Sequence, residues 1–199
     1  MNKNVSLLAI SYVFGFTAAT ITVFLGAIIG SQITSIKSLS TLPVALSVVG
    51  TAICTILAAK IMSKIGRRLG FIFAALGSSA TALVATFAIY QQNFILFCIS
   101  NLILGMGMAF THQYRFAAAE SVEKEKAPKA ISILMLSGIV AAFLGITSSN
   151  YTKNLVSDHL YVGSYLLLAA FTFMPAIFLF FYNNNEKPKI GFNNQYNGR

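Results

Sequence analysis

The sequence predicts an all-α, polytopic membrane protein with six transmembrane helices. Hydrophobic residues make up 56% of the 199-residue chain and charged residues only 10%, whereas an average soluble domain is about 45–50% apolar and about 25% charged. The mean hydropathy of +0.74 agrees with this imbalance. So few charges cannot cover the surface of a soluble globule of this size. The composition therefore disfavours a soluble enzyme, a disulfide scaffold and a disordered chain.

Six segments are long and apolar enough to cross a bilayer, which takes roughly 20 apolar residues in a helix. A transmembrane β-strand would need only about 10 residues of alternating polarity, so these lengths indicate helices. The predicted bundle covers residues 1–182, with spans over residues 5–29, 42–59, 69–90, 94–114, 130–148 and 161–182. A polar tail, which we expect to be cytoplasmic, follows over residues 183–199.

Local signals support each span in turn. Span 1 is longer than the about 7–15 apolar residues of a signal peptide, so we expect it to stay uncleaved. Pro43 falls in the first turn of span 2, where a missing N–H costs little. Charge is absent from Leu69 to Tyr114, but the polar run from Gln91 to Asn93 predicts a tight turn between spans 3 and 4. Span 5 follows the basic residues that end at Lys129, and Pro175 predicts a kink in span 6.

Basic residues predict the orientation of the bundle, since cytoplasmic loops carry an excess of Lys and Arg. With the N-terminus inside, the opposite face holds only Lys37 and Lys153, and Arg115 lies at the cytoplasmic end of span 4. The cytoplasmic face then holds the remaining basic residues, namely Lys3, Lys60, Lys64, Arg67, Arg68, Lys124, Lys126, Lys129, Lys187, Lys189 and Arg199. We therefore expect a multi-pass protein of the bacterial inner membrane with both termini cytoplasmic. The net charge of +9 records topology and not a nucleic-acid partner.

The short loop between spans 2 and 3 reads Ala-Lys-Ile-Met-Ser-Lys-Ile-Gly-Arg-Arg over residues 59–68. Its cations suit the unpaired carbonyls of a helix C-terminus, and its glycine permits a tight reversal. The segment resembles the signature G-x-x-x-D-R-x-G-R-R of the major facilitator superfamily, which lies between the same two spans. The residues that match this signature are Lys64, Gly66, Arg67 and Arg68. Ser63 stands where the family has an Asp. In that family the Asp helps a cytoplasmic charge network that stabilises the outward-facing state, so the resemblance implies a weaker network here.

Further matches follow in spans 4 and 5. Gly105 fits a glycine of the family's fourth span, although Asn101 stands where the family commonly has an Arg. The run from Gln113 to Glu120 resembles the exit of span 4 in a group of bacterial facilitators, and Gly138 and Gly145 resemble their glycine-rich fifth helix. The family fold has twelve spans in two halves, each built from two inverted three-helix repeats. The resemblance implies that this chain is one N-terminal half, truncated or split.

Arg115, which lies close to Glu120 at the end of span 4, has two interpretations. In the first it belongs to an inner gate, paired with Glu120 or with carbonyl groups and near Arg67 or Arg68. In the second it snorkels into the lipid headgroups and adds only to the topology signal. His112 offers a similar choice between a proton relay and simple packing near the interface.

The candidate solute cavity is drawn from spans 1 and 4, because those spans face the central cavity of a facilitator. Its predicted residues are Tyr12, Phe16, Thr20 and Asn101. Their alternative role is interhelical hydrogen bonding, worth about 0.6 kcal/mol on average. Gly26 and Gly30 form a G-x-x-x-G motif, which predicts close helix packing within the half or between chains. No span carries an Asp or Glu in its central part, so the sequence offers no proton-coupling site.

These observations predict transport of an unidentified small solute by alternating access, in which one six-helix bundle rocks against another. The expected partners are the lipid bilayer, the solute, and either a separately encoded second six-helix half or a second copy of the chain. The alternatives are an inactive split-gene product and a non-transport scaffold that binds a partner protein. We expect no enzyme activity, cofactor or metal, because no catalytic arrangement and no metal-ligand spacing occurs in the sequence.

Overall fold

A computed structural model of the protein describes residues 3–156 and 160–182. In these residues the chain forms seven α-helices, two short 3-10 helices and no β-strand. The α-helices are α1 (Lys3–Ile33), α2 (Leu42–Ile65), α3 (Arg67–Tyr90), α4 (Phe94–His112), α5 (Tyr114–Glu120), α6 (Ala127–Thr152) and α7 (Val162–Phe180). The 3-10 helices Lys37–Leu39 and Lys124–Lys126 precede α2 and α6. The all-α prediction is confirmed.

Six helical segments of the described residues are long and apolar enough to cross a membrane, which confirms the predicted number of spans. Span 4 comprises α4 and α5, which join at Gln113, while α6 is span 5 and α7 is span 6. Two helices run well past the apolar segments seen in the sequence, since α2 continues to Ile65 and α6 begins at Ala127. Helical hydrogen bonding continues through polar residues near the membrane surface. A prediction based on apolar residues alone therefore ends these helices too early. The tail over residues 183–199 lies outside the described residues.

The six spans pack in two layers. The helices α6, α1, α4 and α2 form a row in which each contacts the next, and we call it the front row. Behind its two central helices, α3 and α7 pack against each other, with α3 on α4 and α7 on α1. The outer helices of the front row are accordingly the least buried: 28% of the apolar part of α2 and 22% of that of α6 are buried, against 50% for α1.

Spans 1–3 and spans 4–6 form two equivalent repeats. The contact of span 1 with span 5 has its counterpart in that of span 4 with span 2, and the contact of span 1 with span 6 has its counterpart in that of span 4 with span 3. The relation between the repeats makes span 3 equivalent to span 6, and these two spans pack on each other. Because each repeat has an odd number of spans, the second one starts from the opposite side of the membrane. The two inverted three-helix repeats predicted from the sequence are therefore present.

The G-x-x-x-G motif of α1 packs against the first turn of α2 and the residue Ser40 just before it. A Cβ on Gly26 would lie 2.8 Å from Cγ2 of Val44, and one on Gly30 would overlap the carbonyl group of Ser40. Small residues let helices approach to backbone contact. The motif was predicted to support close packing either within the half or between chains. In the structure it packs within the chain.

Two further glycines bring other front-row helices together. Gly105 of α4 meets the backbone of Ser47 on α2, where a Cβ would not fit. At the same crossing Thr51 Oγ1 donates a hydrogen bond to the carbonyl oxygen of Gly105 at 2.9 Å. On the other side of the row, a Cβ on Gly145 of α6 would lie 2.9 Å from Cβ of Thr20 on α1. These glycines fix the spacing of the front row.

Candidate functional site

One residue joins α2 to α3 at the end of the bundle where α5 also ends and α6 begins. We call this end the basic end, because it carries Lys60, Lys64, Arg67, Arg68, Lys124, Lys126 and Lys129. The joining residue is Gly66, whose φ of 86° and ψ of 154° lie in a region that residues with a Cβ rarely adopt. This tight reversal places the arginines of the loop motif at the very start of α3.

Arg67 forms a two-point ion pair with Glu120. Its Nε donates to Oε2 at 2.7 Å and its Nη2 donates to Oε1 at 2.5 Å, which joins the start of α3 to the end of α5. A cation at a helix N-terminus and an anion at a helix C-terminus each face the unfavourable end of a helix dipole. The pair offsets both, and its bidentate geometry is the stronger kind of arginine–carboxylate contact.

Arg68 joins the start of α3 to the end of α7. Its Nη2 donates a hydrogen bond to the carbonyl oxygen of Phe180, and its guanidinium lies 5.1 Å from the centre of the Phe180 ring. A cation is favourable beside the unpaired carbonyls of a helix C-terminus, and the aromatic face adds a cation–π contact. The two arginines therefore tie spans 3, 4 and 6 together at the basic end.

The other predicted motif residues do not join this network. Ser63 is exposed and donates its hydroxyl to the carbonyl oxygen of Lys60, in its own helix, at 2.8 Å. Lys64 is exposed on the same turn. Of the partners that the inner-gate interpretation offers Arg115, Glu120 is bound by Arg67 instead. Two residues five positions apart in a helix point about 140° apart, so Arg115 faces away from Glu120.

Arg115 faces the front row, close to aromatic residues of spans 1 and 4. Its guanidinium lies 5.1 Å from the centre of the Phe116 ring, and the ring of the preceding residue, Tyr114, meets the Tyr12 ring edge-on at 6.4 Å. Its Nε is buried and has no hydrogen-bond partner in the described part of the chain. The rings of Tyr12 and Phe16 stack at 5.2 Å with an angle of 13° between their planes, and His112 meets Phe16 edge-on at 6.0 Å. We call Tyr12, Phe16, His112 and Arg115 the front-row cluster.

Two of the four predicted cavity residues lie elsewhere. Asn101 is fully buried between α4 and α7, where its Oδ1 accepts a hydrogen bond from the Tyr165 hydroxyl at 3.5 Å. Its Nδ2 donates to the carbonyl oxygen of Phe97 at 2.8 Å. These contacts agree with its alternative role of joining helices, and a contact with solute stays a prediction. Thr20 is packed against Gly145, so that only Tyr12 and Phe16 of the set lie in the front-row cluster.

The interior of the bundle leaves no room for a solute between α1, α3, α4 and α7. The cavity there has a volume of about 20 Å³ and includes Gly15, Ser78, Thr111 and Pro175 in its lining. A space of this size holds a single water molecule. This cavity is therefore too small to hold a solute molecule.

Sequence reasoning missed two partners in these sites. Phe180 contributes a backbone carbonyl and a ring at the end of α7, and a backbone acceptor leaves no signal in a sequence. Gly50, which meets the backbone of Leu102 at the crossing of α2 and α4, was also missed. Gly50 lies seven residues after Pro43 and four before Cys54, a helical spacing that places it on the buried face of α2. That spacing was the available sequence signal for its packing role.

Comparison with known proteins gives consistent results. A family model described as Major Facilitator Superfamily matches residues 6–197. The chain is 32% identical over 179 residues to a riboflavin transporter, RfnT, of Brucella anthropi, covering 89% of this chain and 45% of that protein. It is 27% identical over 185 residues to an uncharacterized MFS-type transporter, YdeG, of Bacillus subtilis, covering 89% of this chain and 42% of the relative. The chain thus spans less than half the length of these relatives.

Proposed function

We propose that this chain, which belongs to the major facilitator superfamily, works as one six-helix half of a membrane transporter for a small solute. The observation that carries the proposal is the front row. Spans 1 and 4 lie at its centre, and the spans at its two ends, 2 and 5, keep most of their surface free of the bundle. Such a face suits a second six-helix bundle placed opposite, with the solute between the two.

Alternating access follows from that placement. Rocking of two bundles around a site near the middle of the membrane opens that site to one side at a time. The basic end, which the excess of Lys and Arg assigns to the cytoplasm, carries the Arg67–Glu120 and Arg68–Phe180 contacts. These contacts keep spans 3, 4 and 6 moving as one body, so that the bundle rocks without deforming.

Riboflavin is the first solute to test, because the relative with 32% identity is a riboflavin transporter. The coding sequence is deleted from its host and restored on a plasmid, and uptake of labelled riboflavin is measured in each strain. We expect uptake to fall on deletion and to recover on restoration. Unchanged uptake of riboflavin and of a panel of other small solutes would contradict a transport role and favour the scaffold alternative.

A second measurement tests whether this six-helix half transports solute on its own. Purified chain is reconstituted alone into liposomes, and riboflavin counterflow is compared with that of empty liposomes. We expect no saturable counterflow, since one bundle offers only one wall of a cavity. Saturable counterflow by the chain alone would instead favour assembly of the transporter from two copies.

A further inference from the structure

Three aromatic rings from two front-row helices meet on one face, and Arg115 follows three residues after one of them. Tyr12 and Phe16 come from α1, His112 ends α4, and Arg115 lies in α5. The fifth neighbour, Gly138 of α6, has no side chain, and a Cβ there would lie 3.4 Å from Cε1 of Tyr12. Helices from both repeats thus converge on one pair of stacked rings.

The guanidinium of Arg115 lacks an acceptor. No hydrogen bond or ion pair joins it to any described residue, and its Nε is shielded from solvent. Burying an unsatisfied charged donor is costly, and the cost disappears when an acceptor is supplied. The cation–π contact with Phe116 does not supply one, because an aromatic face does not accept two-point hydrogen bonds. A lipid phosphate reached by snorkelling supplies one, and so does an acceptor group on a bound solute. An acceptor from outside the chain therefore fits this position.

The stacked rings of Tyr12 and Phe16 favour a flat partner. Tyr12 and Phe16 are nearly parallel, with 13° between their planes, and Phe16 and His112 are only half-buried. A third planar ring can continue such a stack at a similar spacing. A non-planar solute such as a sugar gains no stacking from this arrangement.

We propose that the front-row cluster is the subsite for a planar heteroaromatic solute whose ring edge carries hydrogen-bond-accepting or anionic groups. The ring stacks on Phe16, and Arg115 donates to the acceptor edge. This inference rests on the proposed function and adds to it the chemical class of the solute. In this subsite Arg115 contacts the solute itself.

Binding to the chain in lipid nanodiscs tests the subsite. Riboflavin is the probe, because stacking on aromatic side chains quenches its fluorescence, and a sugar of similar size serves as the non-planar competitor. We expect saturable quenching that the sugar does not reverse. Phe16→Leu and Arg115→Gln should each weaken binding by about tenfold, which corresponds to the loss of one stacking or charged hydrogen-bond contact. Arg115→Lys should keep part of the affinity, since it retains the charge but not the planar fork.

Matched controls separate this subsite from general effects. Phe87→Leu changes an exposed aromatic residue on α3, and Lys37→Gln removes a cation near the other end of the bundle, so both should bind as the unaltered chain does. Thermal unfolding of each variant shows whether it is folded. Equal binding by Phe16→Leu, Arg115→Gln and the controls would overturn the subsite while host uptake of riboflavin still supported transport. Absence of saturable quenching by any folded form would also overturn it.

Discussion

Replacing Gly105 by alanine should push α2 and α4 apart at the crossing that sets the spacing of the front row. The added Cβ would lie 2.7 Å from the carbonyl carbon of Ser47 and 2.8 Å from its Cα, whereas carbon atoms in contact lie about 3.5–4.0 Å apart. Both neighbours are backbone atoms and cannot rotate away, so the helices must separate by roughly 1 Å. That movement also breaks the 2.9 Å hydrogen bond from Thr51.

The magnitude follows from these two losses. Overpacking costs about 1–3 kcal/mol, and an interhelical hydrogen bond in a membrane is worth about 0.6 kcal/mol. Alanine returns about 1 kcal/mol through its better helix propensity. The free energy of unfolding should therefore fall by about 2 kcal/mol, which lowers the melting temperature by roughly 4–8 °C for a chain of this size.

Thermal unfolding in detergent measures the change, with a thiol-reactive dye that reports exposure of Cys54 and Cys98, both of which are buried in the folded chain. Gly77→Ala on α3 is the matched control, because a Cβ there meets nothing within 4 Å. It should leave the melting temperature unchanged or raise it by helix propensity alone. If Gly105→Ala melts at or above the unaltered chain, or if Gly77→Ala loses as much, the backbone crossing does not limit this interface and the reasoning is refuted.

Three further predictions concern the basic end and the bundle interior, each measured by the same melting assay. Arg67→Gln and Glu120→Gln should each cost at most about 1 kcal/mol, since 62% of the Glu120 side chain is exposed; costs that simply add in the double variant would show that the pair is not coupled. Gly66→Ala should cost about 1–2 kcal/mol because of its positive φ, and an unchanged melting temperature would contradict this. Asn101→Ala should cost about 1–3 kcal/mol by leaving the Tyr165 hydroxyl without its acceptor, with riboflavin quenching unchanged; weaker quenching at an unchanged melting temperature would return Asn101 to the solute site.

The sequence was sufficient for the number of spans, their helical nature and the close-packing role of the glycines. These properties depend on local composition, since about 20 apolar residues define a span and Gly26 with Gly30 lie on one helix face by spacing alone. The solute cavity could not be derived in the same way, and its residues stay a prediction. Spacing along a helix does not say which polar residue faces another helix, as with Asn101, whose hydrogen bond to Tyr165 joins residues 64 positions apart in the chain.

The basic end shows most clearly what the sequence left undetermined. Glu120 has a nearby cation in the sequence, Arg115, but helix geometry turns the two side chains about 140° apart. The cation that binds Glu120 comes from Arg67, 53 residues earlier, because the tight turn at Gly66 places the start of α3 beside the end of α5. The same helix geometry points Arg115 away from Glu120, and its buried Nε has no hydrogen-bond partner among the described residues. The ion pair at the basic end and the unpaired guanidinium of the front-row cluster are therefore two consequences of one turn of α5.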